Sequence, residues 1–367
     1  MLRVLNASSR PTAGSGYPGT VSRPRHRGVA ACVLAGIALL ALAGCSSKTT
    51  SPTGTGDISG LRLGAFASNR GGSSGYDIYL WDYDAGAFKS IDAIRSTADE
   101  THPTISSDGR FIAFQVNRGS GGSDIEMFDR KGPAFIDLTP LNTTAEETEP
   151  AFSGDGKLLC YTQGSGVGRR VRLFDGVNGV PLALPGLDTT GANYADYSPS
   201  PNHDASLIAF VSTRDNKPPH VYIYDRTRHV VLRGPSLVNA LEQGANQDVD
   251  PSFSQSGRFL AFASDRSGTG SVGGLDVYVL EFVTNVSTVD TVLRVMPAAN
   301  SPNEDRHPSI SDTGNSLVFQ SDRALGSVGG IDLYNFDRTT GTLTHPVPPL
   351  TYNSTANDIE PSLKWPY

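Results

Sequence analysis

A unit of about fifty residues recurs along this chain, and a recurring unit overrides any estimate of domain number from length. The stretch from Asp250 to Leu280, DPSFSQSGRFLAFASDRSGTGSVGGLDVYVL, contains the whole unit. An acid and a proline open a short strand, Gln-Ser-Gly turns the chain, and Phe259 to Ala263 is an apolar strand. Ser-Asp-Arg and a glycine-rich run make a second turn, and Asp276 begins a third strand, Val-Tyr-Val-Leu. In every copy an aromatic stands eleven residues after the proline: Pro103 to Phe114, Pro150 to Tyr161, Pro199 to Phe210, Pro251 to Phe262 and Pro308 to Phe319. A sixth proline, Pro361, opens EPSLKWPY. The prolines are 47, 49, 52, 57 and 53 residues apart, which is the behaviour of fixed strands joined by variable loops.

The copies do not begin and end in phase. Leu61 to Ala67 matches the second strand, Ser68-Asn69-Arg70 the turn, and Asp77-Ile78-Tyr79 the third strand, but no acid-x-x-Pro strand precedes them. The missing strand stands at the far end, in Asp358 to Trp365. One strand lacking at the start and one spare at the end predict an all-β ring that closes through its own last strand, which protects its edges. The expected fold is a six-bladed β-propeller over residues 61–367. Blade one combines 61–92 with 358–367, and the others start near Glu100, Glu147, Asp196, Asp248 and Asp305. Each blade offers three clear strands and a weaker fourth, such as Phe135 to Leu138 or Val230 to Leu232, and no amphipathic helix is evident after residue 44. Gly at 40 and Pro at 24 suit the many tight turns that such a ring needs.

The unit P-x-[FI]-S-x-D-G-x-x-[IL]-A-F, then S-[ND]-R, then D-[IV]-Y, resembles the TolB-type propeller repeat, also called the WD40-like periplasmic repeat. The match is good in blades two, five and six. Blade three departs, with Gln163-Gly164 for Ser-Asp and Arg169-Arg170 where the Asp should stand. Blade four carries Ala205 for the turn glycine and His220 for the third-strand Asp. The resemblance implies the fold first, and a link to Tol–Pal-type envelope systems second. TolB proteins carry an additional N-terminal α/β domain, and nothing ahead of residue 61 is expected to supply it.

Residues 1–44 read as a targeting segment. Arg23, Arg25, His26 and Arg27 precede a short apolar run, VAACVLAGIALLALA, too short to span a bilayer comfortably. Leu42-Ala43-Gly44-Cys45 resembles the bacterial lipobox, which implies cleavage before Cys45 and lipid attachment there, hence an exported lipoprotein of the outer membrane facing the periplasm or the cell surface. Ser46 follows instead of Asp, as in lipoproteins sorted to the outer of two membranes. Residues 45–60 hold almost no large apolar side chain and are expected to form a flexible tether. Of three cysteines, Cys32 falls in the removed segment, Cys45 carries lipid, and Cys160 in Leu-Leu-Cys-Tyr is expected to be a small buried hydrophobe. No pair remains for a disulfide.

The candidate site is a double set of residues at the repeat's proline. Three residues before it stand Glu100, Glu147, Asp196, Asp248, Asp305 and Asp358, all acidic. One residue before it stand His102, Glu149, Ser198, Asp250, His307 and Glu360. In an extended strand these positions point the same way, so both sets are expected near one mouth of a central channel if the proline strands are innermost. The first set is expected to be structural, capping turns or pairing with Arg70, Arg118, Arg214, Arg266 or Arg323 of the turns that follow the second strands. The second set, His102, Glu149, Asp250, His307 and Glu360, forms the candidate binding mouth for a basic partner or a cation. Oxygen ligands there would suit calcium, and His with carboxylates a transition metal, although no metal or other cofactor is assigned.

Other patterns carry little. Gly268 to Gly273 spells G-x-G-x-x-G without the helix that a dinucleotide site needs, and Gly71 to Gly75 spells G-x-S-x-G at a hairpin tip rather than a strand–turn–helix. In the glycine-rich hairpins, Asp77, Asp124, Asp276 and Asp332 are expected to bond loop amides. Tyr194 and Tyr197 either line a rim or pack between blades, and packing is the expectation. A net charge of −7 argues against a nucleic-acid surface. The expected function is therefore a monomeric, non-enzymatic scaffold that binds an envelope protein or an extended peptide. No residue is assigned a catalytic role. The rival is a glycan lyase or hydrolase using His102, Glu149, Asp250 and His307 at the channel.

Overall fold

A computed structural model of the chain describes residues 62–71, 75–188, 192–233, 237, 240–241, 246–268, 271–283, 291–324, 329–344 and 353–364. The expected targeting segment, Cys45, the expected tether, Tyr352, Trp365 and Tyr367 lie outside them. The described residues form six four-stranded antiparallel sheets arranged as the blades of a propeller. Blade two is typical: β4 (Asp99–Ile105), β5 (Phe111–Asn117), β6 (Ser123–Asp129) and β7 (Ala134–Phe135) follow one another in space as in sequence. Blades three to six repeat this as β8 (Glu147–Phe152) to β11 (Val180–Leu182), β12 (Asp196–Pro201) to β15 (Val230–Val231), β16 (Asp248–Phe253) to β19 (Thr291–Val295), and β20 (Asp305–Ile310) to β23 (Thr342–Thr344).

Blade one closes the ring. Its β1 (Leu63–Ser68), β2 (Asp77–Asp82) and β3 (Ala87–Lys89) take β24 (Asp358–Lys364) as their innermost strand, with Leu63 opposite Lys364 and Ser68 opposite Asp358. The out-of-phase repeat is thus resolved as the sequence predicts.

The hydrophobic core lies between blades rather than under one of them. Successive side chains of a strand point to opposite faces, and here each face meets a different neighbour. In β17 (Phe259–Ser264), Leu260 and Phe262 pack against blade four, whereas Phe259 and Ala261 pack against blade six. Comparable clusters join blades one and two, two and three, three and four, and six and one. Cys160 lies in the cluster between blades three and four, fully buried, and burial pushes its thiol far above the usual range. The fourth strands form the outer rim and carry the exposed Phe88, Phe135, Val180 and Val230. One expectation fails: Leu237, Ala240 and Leu241 are helical. Spaced by three and four, they bury one apolar face against the cluster between blades four and five.

Because β24 supplies the innermost strand of blade one, removing residues 358–367 should expose β1 as an unpaired edge and leave Arg70 without Asp358. The truncated chain should melt at least 10 °C lower than the full chain by calorimetry and self-associate in light scattering. An unchanged melting point and a monomeric profile would disprove ring closure.

Candidate functional site

The innermost strands line a central cavity of about 210 Å³. It runs from the residues just before the six prolines down to the Ser-x-x-Gly turns, where Ser107, Ser153, Gln255 and Ser311 face it. His102, Glu149, Ser198, Asp250, His307 and Glu360 all line it, together with the six prolines. The six acids three residues before the prolines do not.

The two sets part because the strand is not regular. At each proline the ladder slips, for example between Thr101 and Thr104 and between Val249 and Ser252. The pre-proline residue of every blade adopts a left-handed backbone, with φ of 49° at His102, 53° at Glu149, 49° at Ser198, 54° at Asp250, 48° at His307 and 55° at Glu360. Such a bulge resets the alternation of side chains. The expectation of a shared mouth is therefore corrected: one set turns to the cavity, and the other is buried inside the blades.

Bonds between neighbouring blades fix the cavity ring. Glu360 of blade one accepts the backbone N–H of His102 at 2.6 Å and lies 3.3 Å from its Nε2. Glu149 of blade three accepts the Ser198 N–H at 2.8 Å and its hydroxyl at 3.0 Å. Asp250 of blade five accepts Arg306 Nε at 3.0 Å and the His307 N–H at 3.4 Å. Burial would raise the Asp250 carboxyl, but His307 and Arg306 outweigh it and hold it below the usual carboxylate range. Gln115 and Gln320 complete the ring by accepting the N–H groups of Glu149 and Glu360 at 3.4 and 2.8 Å. His102 and His307 stand edge to face, with ring centroids 6.2 Å apart. Among the described residues, no group of three or more His, Cys, Asp or Glu is arranged to hold a metal ion.

A second layer lies one step further along the cavity. The hydroxyls of Thr104, Ser200, Ser252 and Ser309 accept the N–H groups of Phe152, Phe253, Ile310 and Leu363 in the next blade, at 2.9–3.3 Å. Between blades three and four both partners are lacking: Ala151 has no hydroxyl and Pro201 no N–H.

The buried acids are built into the blades. Asp196 accepts Arg214 Nη2 through both oxygens at 2.9 Å, Asp248 accepts Arg266 at 2.5 Å, and Asp305 accepts Arg323 at 2.6 Å. Asp358 pairs with Arg70 in the same way. Each arginine is aimed by the serine two residues before it: Ser68, Ser212, Ser264 or Ser321 accepts both its backbone N–H and its Nε, at 2.9–3.3 Å. The guanidinium stacks 4.9–5.3 Å from the second-strand Phe and 4.5–5.1 Å from the third-strand Tyr. The sequence reading named these arginines as partners for the acids but not the serine, two places ahead of each, that aims them. Blade four, worn at Ala205 and His220, keeps the bracket in full, and His220 bonds Asp248 of the next blade at 3.0 Å.

Blade two, a good match by motif, has lost it. Val116 replaces the serine and Glu126 the tyrosine. Arg118 turns away to Asp124 and Glu126. Glu100 accepts the Ser96 hydroxyl instead of a guanidinium, and its Oε2 is buried without a hydrogen-bond partner. Burial, with Asp77 nearby, pushes its carboxyl up to about 7. In blade three, where Ser165 replaces the arginine, Gln163 and Thr143 satisfy Glu147. Tyr197 packs between blades under the Arg169 guanidinium. Asp276 and Asp332 accept loop amides from Val272 and Gly329, whereas Asp124 takes Arg118.

No protein-family model and no curated protein matches the sequence. Solved structures share the fold. TolB from Acinetobacter baumannii matches with a TM-score of 0.58 and 18% identity, over 84% of this chain and 67% of that one. Hydrazine synthase of Kuenenia stuttgartiensis matches at 0.55 and 12%, over 83% of this chain and 47% of that one. A chain of a nidogen–laminin complex matches at 0.52 and 10%, over 83% and 98%. The chain is a six-bladed β-propeller that shares its fold with TolB. Among the described residues, no helix is long and apolar enough to cross a membrane.

The uncompensated Glu100 should make stability fall as pH rises. Its folded value of about 7 exceeds the ordinary 4.5, so the native state holds the proton longer than the unfolded chain. Stability is then unpenalised below pH 4.5, declines between 4.5 and 7, and stays reduced above, by roughly 3 kcal/mol at most. Glu100→Gln should melt several degrees above the parent at pH 8 and equally at pH 4.5. Equal melting points at both pH values would refute the buried, unpaired carboxyl.

Proposed function

We propose that this propeller is a non-enzymatic scaffold of the cell envelope that holds an extended segment of a partner protein in its central cavity. The carrying observation is that the three carboxylates of the cavity ring are committed to its own framework. Glu360, Glu149 and Asp250 each accept backbone N–H groups of the next blade. A general acid or base needs a carboxyl poised to move a proton, and these three are held as acceptors instead. What remains for a ligand is a rigid passage of prolines, hydroxyls and apolar side chains such as Phe253 and Ile310. Such a surface suits an extended backbone with small side chains, because a preformed site avoids an ordering cost on binding. The likeness to TolB and to a propeller solved within a nidogen–laminin complex supports a binding role by fold alone.

The body would stand off the membrane on residues 45–60 and be anchored by lipid at Cys45, acting as a monomer. Cys45→Ala should abolish incorporation of labelled palmitate and release the protein from the membrane fraction. Retention of label would refute the anchor.

Photo-crosslinking from position 311, also in the cavity wall, should capture a discrete partner in intact envelopes. Ser107→Trp combined with Gln255→Trp, which fills the lower end of the cavity, should cut that capture at least tenfold without lowering the melting point by more than a few degrees. Undiminished capture would move the binding site elsewhere. Polysaccharide cleavage that vanishes in a His102→Ala, His307→Ala variant would replace the scaffold by an enzyme.

A further inference from the structure

Arg169 departs from the residues that hold its place in other blades. At five joints a hairpin carbonyl of one blade accepts the N–H of the next blade's first-strand acid: Tyr76 for Glu100, Arg169 for Asp196, Pro219 for Asp248, Leu275 for Asp305 and Ile331 for Asp358. The other four hairpin residues are uncharged, so the joint itself does not require an arginine. The residue that Arg169 covers departs as well. Tyr197 stands where the other blades carry Thr, Val, Arg or Ile. Both departures fall at the joint between blades three and four, and they touch: the guanidinium lies 3.6 Å above the Tyr197 ring.

Among the described residues, every other arginine gives its guanidinium to a carboxylate or a backbone carbonyl. Arg169 meets only the ring and hydroxyl of Tyr197. Its Nε is buried without a hydrogen-bond partner, while the residue as a whole is half-buried, which leaves the rest of the fork toward solvent. Its place is fixed: the Arg169 carbonyl accepts the Asp196 N–H at 3.0 Å and Arg170 Nη1 at 2.7 Å, and Arg170 ties the hairpin to the Tyr194 carbonyl. The pair stands at the cavity mouth. Ser198, next to Tyr197, lines the cavity, and the Tyr197 hydroxyl lies in the field of Arg169, Glu149, Asp250 and Arg306. Glu149 is already engaged by the Thr162 hydroxyl and by the N–H and hydroxyl of Ser198, and Arg306 and Asp250 neutralise each other. Burial raises the Tyr197 hydroxyl above the usual tyrosine range although Arg169 opposes it, so it keeps its proton and can donate.

We propose that Arg169, stacked on Tyr197, binds a carboxylate of the segment held in the central cavity, either an Asp or Glu side chain or the chain end. The inference rests on the scaffold reading, because it names what the held segment presents at the mouth. Two parallel N–H donors of a guanidinium match the two oxygens of a carboxylate. A planar cation already laid on an aromatic face also loses little further freedom when it takes a ligand.

Three peptides titrated with the purified chain at low salt test it, followed by the broadening of their own NMR signals. They are N-acetyl-Gly-Asp-Gly-amide, its Asn counterpart, and the Asn peptide with a free C-terminal carboxylate. At least one acidic peptide should bind fivefold or more tightly than the fully capped Asn peptide, and the comparison of the two acidic forms tells side chain from chain end. That preference should vanish in Arg169→Gln and weaken in Tyr197→Phe. It should persist in Arg172→Gln, which removes a neighbouring positive charge that is paired with Asp188. Melting curves confirm that each variant is folded. In envelopes, Arg169→Gln should also cut capture from position 311 at least fivefold. Equal binding of acidic and capped peptides, or an unchanged preference in Arg169→Gln, overturns the inference and leaves the scaffold standing. Absence of any capture from position 311 while the acidic peptides still bind through Arg169 removes the held segment instead, and with it the role proposed for this site.

Discussion

Six residues with positive φ, one ahead of each innermost proline, set the geometry on which everything else rests. A non-glycine residue in the left-handed region costs on the order of 1–3 kcal/mol and persists only where its surroundings over-determine it. A following proline narrows the choice further. Here the surroundings are the neighbouring blades: a carboxylate, glutamine or hydroxyl reaches across and holds the N–H of the strained residue in at least five of the six. Strain and closure are therefore coupled. No single blade can stabilise its own bulge, and the ring becomes the smallest unit in which all six are supported.

The acids divide the same labour differently. A buried ion pair contributes little net stability, because desolvation offsets the attraction, but leaving one member unpaired costs several kcal/mol. The Ser-x-Arg bracket makes pairing certain: the hydroxyl fixes the guanidinium before the acid meets it, and two aromatic faces enclose it. The bracket also ties the first strand of a blade to the turn after its second strand, so register within the blade is set by charge as well as by apolar alternation. Blade two shows the arrangement with the cation withdrawn, and blade three shows it replaced by neutral groups, Gln163 and Thr143.

Much of this was legible in the sequence. The proline-to-aromatic spacing gave the blades, and the phase mismatch between Leu61 and Asp358 gave the closure. The division between the two residue sets was not legible, because period-two reasoning assumes an unbroken strand, whereas the bulge lies between them. Nor did motif quality rank the blades correctly. Blade four is worn at the turn and at the third-strand Asp, yet Ser212, Arg214 and Tyr222 are intact. Blade two matches at the turns while Val116 and Glu126 have changed, and those two interior positions decide where an arginine goes. The helical Leu237, Ala240 and Leu241 escaped notice because three residues at helical spacing are too short a signal among loops.

Ala151 and Pro201 carry a last consequence. At four joints a hydroxyl in one blade meets an N–H in the next; at the joint between blades three and four acceptor and donor are deleted together. The two losses match each other: a hydroxyl at position 151 would find no amide at Pro201, and an N–H at position 201 would find no hydroxyl at Ala151. Changing either position alone would therefore leave a polar group at this joint without the partner that its sisters have.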